Sequence, residues 1–479
     1  MTAALPDGVG LALDRRLLRF GAGTVLAGGR PGRIITLSPD GAAALDALVA
    51  GGTPSGPVAE LAGRLVDAGM AHPRRGRSSP SDPDSPSPPT GHAVTVVVPV
   101  RDRPGALDRC LTALGTDAPV VVVDDASRNP GAVAEVCVRH GALLVARAVN
   151  GGPGAARATG LGRVVTELVA FVDSDCTVPD GWLSGLTWLF DDPTIGAVAP
   201  RVRPVGAPHG RGSRVVDRYN DARSALDLGP DEGEVGPDRA VRYVPTTALV
   251  VRREAVTAVG GFDRGMRVGE DVDLVWRLVA AGWRVRYQPE VTVTHVEPGR
   301  WSTLLARRAR YGTSAGPLAA RHPGRLAPVE LRPLPTLAAV AAVAGAPVTA
   351  AATVVVSGTL LARTVRHLGV PRRQAWVWSL QGAGWTVVGL GRAATMVAAP
   401  ALVALATRGR RGARAALVLA VVPPVVDWVR DRPDLDLPRW VAASVADDLA
   451  YGVGVWLGCL RARDPGPLLP AVRTGGNTD

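Results

Sequence analysis

The apolar positions of this chain fall into three patterns along its length. Between residues 92 and 300, short β-branched runs at 94–98, 120–123, 143–145 and 168–172 alternate with helical spacing at 105–114 and 131–140. Runs that are apolar at every position predict strands buried on both faces, hence a mostly parallel sheet flanked by helices. In such sheets ligands sit beyond the carboxyl ends of the strands, so the polar residues after each run are where chemistry is sought.

Residues 1–72 show a second pattern. An apolar strand at 33–36 precedes Ser38-Pro39-Asp40, which reads as a helix start with Ser as cap and Pro at the first position. Leu45, Leu48 and Val49 follow at helical spacing. A second helix is expected over 57–68, with Val58, Leu61 and Leu65 on one face and Gly69 ending it. Residues 73–91 are almost entirely Pro, Ser, Asp, Arg and Gly, a composition that buries no core and stays extended, so they read as a linker. The catalytic-type pattern is assigned to 92–330.

The third pattern is hydrophobic and covers 331–462, with a short tail at 463–479. No Asp or Glu occurs from Leu331 to Val426. The stretch 337–361 is uncharged and exceeds the ~20 residues a membrane span requires. Further apolar segments lie at 375–406, interrupted by Gln381 and Arg392, at 415–428 with Pro423-Pro424, and at 440–460 with Asp447-Asp448. Membrane lipids are therefore expected partners, with the large domain on the cytoplasmic side of the cell membrane. Arg363, Arg366, Arg372 and Arg373 follow the first segment, and Arg408, Arg410, Arg411 and Arg414 follow the second. Both groups favour the cytoplasmic face, which two clusters flanking one span cannot share. A re-entrant or interfacial helix would relieve the conflict.

Composition refines this picture. The chain has 479 residues, 47% hydrophobic and 20% charged, enough for two or three domains. All 54 basic residues are Arg, and Ile occurs only at Ile34, Ile35 and Ile195. Ala, Val, Gly and Arg crowd the sequence, as a GC-rich coding genome produces. The net charge of +11 is thus discounted as a sign of nucleic acid, which is not an expected partner, although it suits phosphates and lipid headgroups. Cys110, Cys137, Cys176 and Cys459 lie far apart without CxxC spacing, which argues against a zinc site or a disulfide framework. The first ten residues lack a basic segment followed by an apolar one, so no secretory signal is expected.

The strand ends carry the candidate chemistry. The first run turns at Pro99-Val100-Arg101. The second ends in Asp124-Asp125, where Asp125 is suited to accept the imide N–H of uracil and a ribose hydroxyl; an Asx turn with Asp124 and Ser127 is the plainer alternative. Asn150-Gly151-Gly152-Pro153-Gly154 is a tight turn that lets a nucleotide approach the backbone, followed by Arg157 as a donor to phosphate or base. Asp173-Ser174-Asp175 places two carboxylates after a buried strand, a pair able to share one hard divalent cation, Mg or Mn. Such a cation neutralises a diphosphate leaving group. Farther on, Gly269-Glu270-Asp271-Val272-Asp273 opens a helix, where acidic residues are also favoured electrostatically. His295 ends a later strand.

This ordered set resembles the inverting GT-A glycosyltransferases of family 2 over about residues 93–300. The resemblance implies a Rossmann-like, mixed but mostly parallel sheet. It implies nucleotide-sugar binding by Pro99, Arg101, Asp124, Asp125, Gly154, Arg157 and Ser174, and a metal at Asp173 and Asp175, with His295 completing the shell. It implies that Asp271, or else Glu270, takes the proton from the acceptor hydroxyl. The processive signature QxxRW is absent, because Arg300-Trp301 has no Gln three residues earlier. Residues 1–72 resemble PqqD-like, winged-helix peptide-recognition elements. Together with the hydrophobic tail, the whole chain is similar to the glycosyltransferases of mycofactocin systems in actinobacteria. That resemblance implies repeated transfer of glucose from UDP-glucose to a peptide-derived redox-cofactor precursor. Two alternatives stand beside it: a membrane glycosyltransferase acting on polyprenyl phosphate or a cell-envelope glycan, and a non-catalytic peptide-docking protein.

Overall fold

The computed structural model describes residues 9–29, 31–52, 54–75, 91–205 and 214–473; most of the expected linker, 76–90, lies outside them. The chain divides into two units, Met1–Val205 with Ser224–Val296, and Gly206–Arg223 with Glu297–Asp479.

The first unit is built on a mixed sheet. Its strands are β1 (Val94–Val100), β2 (Val120–Asp124), β3 (Leu143–Ala146), β4 (Leu168–Val172), β5 (Cys176–Thr177), β6 (Ile195–Val205), β7 (Gly233–Glu234), β8 (Ala248–Arg252) and β9 (Arg284–Val296). The order is β5-β9-β6-β8-β4-β1-β2-β3, with β7 on β9. Strands β1 to β4 are mutually parallel, as their uninterrupted apolar runs require. Strand β8 is inserted antiparallel between β4 and β6. Val96, Val98, Val122, Ala170, Val172 and Val250 fill the core beneath helices α1 (Pro104–Leu114) and α2 (Pro130–Arg139). Helix α3 (Pro153–Leu161) packs on the sheet so closely that a Cβ at Gly160 would stand 2.4 Å from a Val97 methyl.

The N-terminal module belongs to this unit. Three short antiparallel strands, Leu18–Phe20, Val25–Gly28 and Arg33–Thr36, precede helices Pro39–Val49 and Pro57–Asp67. Ser38 caps the first helix, its side chain accepting from the Gly41 N–H at 3.0 Å. Leu11, Leu26, Leu45, Leu65 and Met70 form a separate small core. Gly10–Leu13 pairs with Ala71–Arg74, so the module's last strand runs into the segment whose composition marked it as linker; pairing with the first strand outweighs the local proline. Charge fixes the module against the sheet: Arg74 Nη1 donates to Glu232 Oε2 at 2.7 Å, and Arg284 lies 3.3 Å from Asp67.

The second unit is helical. Val215–Arg223 and Trp301–Gly312 pack on Leu437–Ala462 around Asp447. The Tyr219 hydroxyl donates to Asp447 Oδ2 at 3.0 Å and Arg308 Nε donates to Oδ1 at 2.7 Å. The apolar segment at 440–460 is therefore a helix whose buried acids are satisfied by protein, while Val453 and Leu460 remain exposed. The uncharged stretch 337–361, expected as one span, is two helices, Pro333–Val343 and Pro347–Val365. Gly345, at φ +77°, ends the first in a left-handed turn, and Pro347 starts the second. The next segment is also broken: Arg372–Met396 and Ala399–Ala406 meet at 101°. Pro423 and Pro424 do not interrupt Gly409–Asp431. Among the described residues, two helices are long and apolar enough to cross a membrane, Pro347–Leu368 and Gly409–Asp431.

Candidate active site

The parallel order of β1, β2 and β4 brings their carboxyl ends to one rim, and the sequence places a polar group at each. Pro99 lies within β1 and is buried; Arg101 follows it and is exposed. Two non-glycine residues adopt left-handed backbone just past these ends, Asp102 at φ +55° and Ala126 at φ +59°. Such strain persists where surrounding bonds impose it. Here Asp102 N–H donates to Ser127 Oγ at 2.9 Å, and Asp102 Oδ1 accepts from Arg128 N–H at 2.7 Å.

The two acids closing β2 differ in task. Asp124 is buried and accepts from Ser127 N–H at 3.0 Å, forming the Asx-type turn weighed above. Asp125, also buried, accepts from Arg147 Nε at 2.9 Å and from Gly151 and Gly152 N–H at 3.0 and 2.8 Å. Its carboxylate thereby organises the glycine turn that leads into α3. Arg147 also bonds the Ala155 carbonyl at 2.8 Å. Sequence reasoning missed Arg147, which follows an ordinary strand with no motif around it.

Arg157 is the centre of the site. Its guanidinium is 3% exposed and joins two segments far apart in sequence. Nη1 donates to Glu270 Oε1 at 2.9 Å, and Nη2 donates to Asp173. The group lies over the Phe262 ring, 5.9 Å from its centroid. Burial alone would lower the Arg157 pKa; Asp173 and Glu270 outweigh it and raise it. The approach of α3 to the Glu270 helix, α4 (Glu270–Ala280), needs Gly154: a Cβ there would stand 2.9 Å from Glu270 Cγ.

Glu270 and Asp271 occupy the first turn of α4, whose N-terminal dipole favours negative charge. Asp271 is half-buried, and its carboxyl is pushed up to about 7 by burial and by the neighbouring Glu270. Asp273 is committed elsewhere: Arg277 Nε donates to it at 2.8 Å, and the same guanidinium holds the Gly261 carbonyl at 2.8 Å. This binds α4 to the loop containing Phe262.

The acids after β4 stand on either side of buried Ser174. Asp173 faces Arg157, whereas Asp175 accepts from Arg103 and lies 3.5 Å from His295 Nε2. Pairing of Cys176 with His295 between β5 and β9 brings this histidine to the rim. Among the described residues, no three His, Cys, Asp or Glu side chains gather tightly enough to hold an ion. The donor types, carboxylate oxygens at Asp173 and Asp175 and an imidazole whose Nε2 lies 3.5 Å from Asp175, are those a hard divalent cation accepts. Arg157 and Arg103 neutralise the two carboxylates meanwhile. Beneath them Cys110 is buried and its thiol is pushed up to about 12, which makes it inert. The structure thus brings Asp125, Arg157, Asp173, Asp175, Glu270, Asp271 and His295 to neighbouring positions on one rim.

Comparison with known proteins identifies the family. The family described as glycosyltransferase like family 2 matches residues 89–314. The chain is 38% identical to a pre-mycofactocin glycosyltransferase of Mycobacterium tuberculosis, over 99% of this chain and 100% of that protein. It is 28% identical to an N-acetylglucosaminyltransferase of Rhizobium meliloti, over 46% of this chain and 55% of that one. A mannosyltransferase from Pyrobaculum calidifontis, solved in complex with GDP-Man and Mn2+, aligns with 76% of this chain and 89% of its own, at TM-score 0.41 and 23% identity. The chain is a glycosyltransferase with a mixed, parallel-rich sheet, and it belongs to the family of the pre-mycofactocin glycosyltransferases, with a family 2-like domain.

Proposed function

We propose that the enzyme moves a hexose, glucose, from a UDP-sugar to a hydroxyl of a peptide-derived redox-cofactor precursor of the mycofactocin type, repeatedly and with inversion at C1. The observation that carries the site assignment is the bridge through Arg157, which places the Asp173 strand end beside the acidic first turn of α4. The acceptor rests on the full-length similarity to the pre-mycofactocin enzyme, and residues 1–72 would present the peptide-derived part.

In this reading Asp125 sets the glycine turn against which the nucleoside lies. Arg101 and Arg157 offer cationic donors to the diphosphate, and Asp173, Asp175 and His295 would hold a divalent cation. That cation supplies charge neutralisation for the departing diphosphate. Asp271 accepts the proton of the attacking hydroxyl, and its raised pKa makes it a stronger base than an ordinary carboxylate. Glu270 accepts from Arg157 Nη1 at 2.9 Å and holds that guanidinium in place. Proximity and electrostatics supply the catalysis, and no covalent enzyme intermediate is required.

The test is mass spectrometry of products formed by the full chain from UDP-glucose and the peptide-derived precursor. Successive hexose additions are expected. Transfer only to polyprenyl phosphate would overturn the acceptor and favour the envelope reading, which the apolar helices suit. No transfer to any acceptor would favour the docking protein.

A further inference from the structure

Eight arginines of the helical unit fall in two groups of four, each group at a turn between helices. Arg363, Arg366, Arg372 and Arg373 surround the turn from Pro347–Val365 to Arg372–Met396. Arg408, Arg410, Arg411 and Arg414 surround the turn from Ala399–Ala406 to Gly409–Asp431. All eight are exposed, and the stretch from Leu331 to Val426 contains no acid to neutralise them.

Each turn is the tip of a helical hairpin. In the first, Ser379 Oγ donates to the Val354 carbonyl at 3.3 Å, and a Cβ at Gly358 would stand 2.7 Å from the Trp376 ring. In the second, a Cβ at Gly412 would stand 2.2 Å from the Leu405 carbonyl. The flanks behind the tips are apolar and uncovered: Val348 is 81% exposed, Leu380 64%, Val403 65% and Leu417 63%. Ala399–Ala406 buries none of its residues.

Length and charge decide how such hairpins meet a bilayer. Ala399–Ala406 has eight residues, about 12 Å of helix at 1.5 Å per residue, against a hydrocarbon core of about 30 Å. It reaches less than halfway across, and it leaves the preceding helix at a 101° bend. If the first hairpin crossed, it would carry four arginines to the far face, against the preference of such residues for the anionic cytoplasmic leaflet. Both tips are satisfied when they lie at the same headgroup layer, with the apolar flanks entering the bilayer beneath it.

We infer that the two arginine turns lie together at one anionic phospholipid headgroup layer and hold the helical unit to it from the same face. The occupant of the uncovered apolar surface is the lipid bilayer. Its recognition chemistry is phosphate on the surface and acyl chain beneath.

Two experiments on the full-length chain test this. In the first, flotation is measured with phosphatidylcholine vesicles, with and without phosphatidylglycerol. Binding is expected to require the anionic lipid and to fall with salt. Replacing the four arginines of the second turn by Gln (Arg408→Gln, Arg410→Gln, Arg411→Gln, Arg414→Gln) should weaken it at least about tenfold, with the melting temperature unchanged. Equal flotation on neutral vesicles, or no effect of the substitutions, overturns the proposal. In the second, Arg366→Cys and Arg410→Cys are each labelled with a membrane-impermeant maleimide on vesicles binding the protein from outside. The four native cysteines are buried, so background is low. Both tips should react without lysis; a tip protected until the vesicle is broken contradicts docking from one face.

Discussion

At the sheet rim, Arg157 is buried between Asp173 and Glu270 and cannot be removed without stranding a charge. On the turns of the helical unit, eight arginines face solvent in a stretch without a single acid. The residue type is the same and the physics is opposite. A buried guanidinium must be paired by its own chain, and it fixes geometry. An exposed one stays hydrated and acts through the field it projects. Arginine fills every Lys-or-Arg position of this chain, so the partners of each arginine, rather than their number, show where function lies.

The comparison breaks first at the rim. Asp271→Asn should lower kcat by about three orders of magnitude, within the range of a lost general base, while UDP affinity measured by calorimetry stays near wild type. Unchanged turnover would remove Asp271 from its role. A milder loss, about a hundredfold, is expected for Asp175→Ala in the presence of Mg or Mn, with a weaker metal dependence of UDP binding. Arg157→Met should leave Glu270 buried without its cation and cost about 3–5 kcal/mol of stability, read by denaturant unfolding. A single exposed substitution such as Arg411→Gln should cost less than about 0.5 kcal/mol in the same assay. If these two losses were equal, the distinction between buried and exposed arginine would fail.

The pH dependence sharpens the same contrast. Because the folded protein holds the Asp271 carboxyl up at about 7, activity should rise as pH passes through that value and the base ionises. Stability runs the other way: a carboxyl whose pKa is raised on folding disfavours the folded state progressively above its unfolded pKa. Asp271→Asn should therefore raise the melting temperature at pH 8 relative to wild type and have less effect at pH 4. The smallest effect belongs to the N-terminal module, where Ser38→Ala removes a helix cap and should cost about 1 kcal/mol.

Much of the sheet was legible in the sequence because its strands are unbroken valine runs, and a two-sided parallel strand tolerates little else. Strand β8 was harder: Ala248–Arg252 is short, and nothing local reveals that it enters antiparallel. The acids of the rim stood out through their position after strands. Their cationic partners Arg147 and Arg103 did not, because in a chain this rich in arginine no pattern separates a paired one from a solvated one. In the tail, apolar composition gave helices but not their breaks. Gly345 with Pro347 split one expected span, whereas Pro423-Pro424, the more obvious breaker, sits inside a continuous helix. Asp447 and Asp448 looked foreign to an apolar segment until Tyr219, Arg223 and Arg308 were found against them.

The central claim is that the acids and arginines of this rim together receive a sugar nucleotide's diphosphate. A crystal structure of the full chain with UDP and Mn2+ addresses it directly. The account predicts the diphosphate and the ion against Asp173, Asp175 and His295, with the uracil near Asp125 and Arg157 released from Asp173. A nucleotide bound away from these residues, with the Arg157 bridge intact, would contradict it.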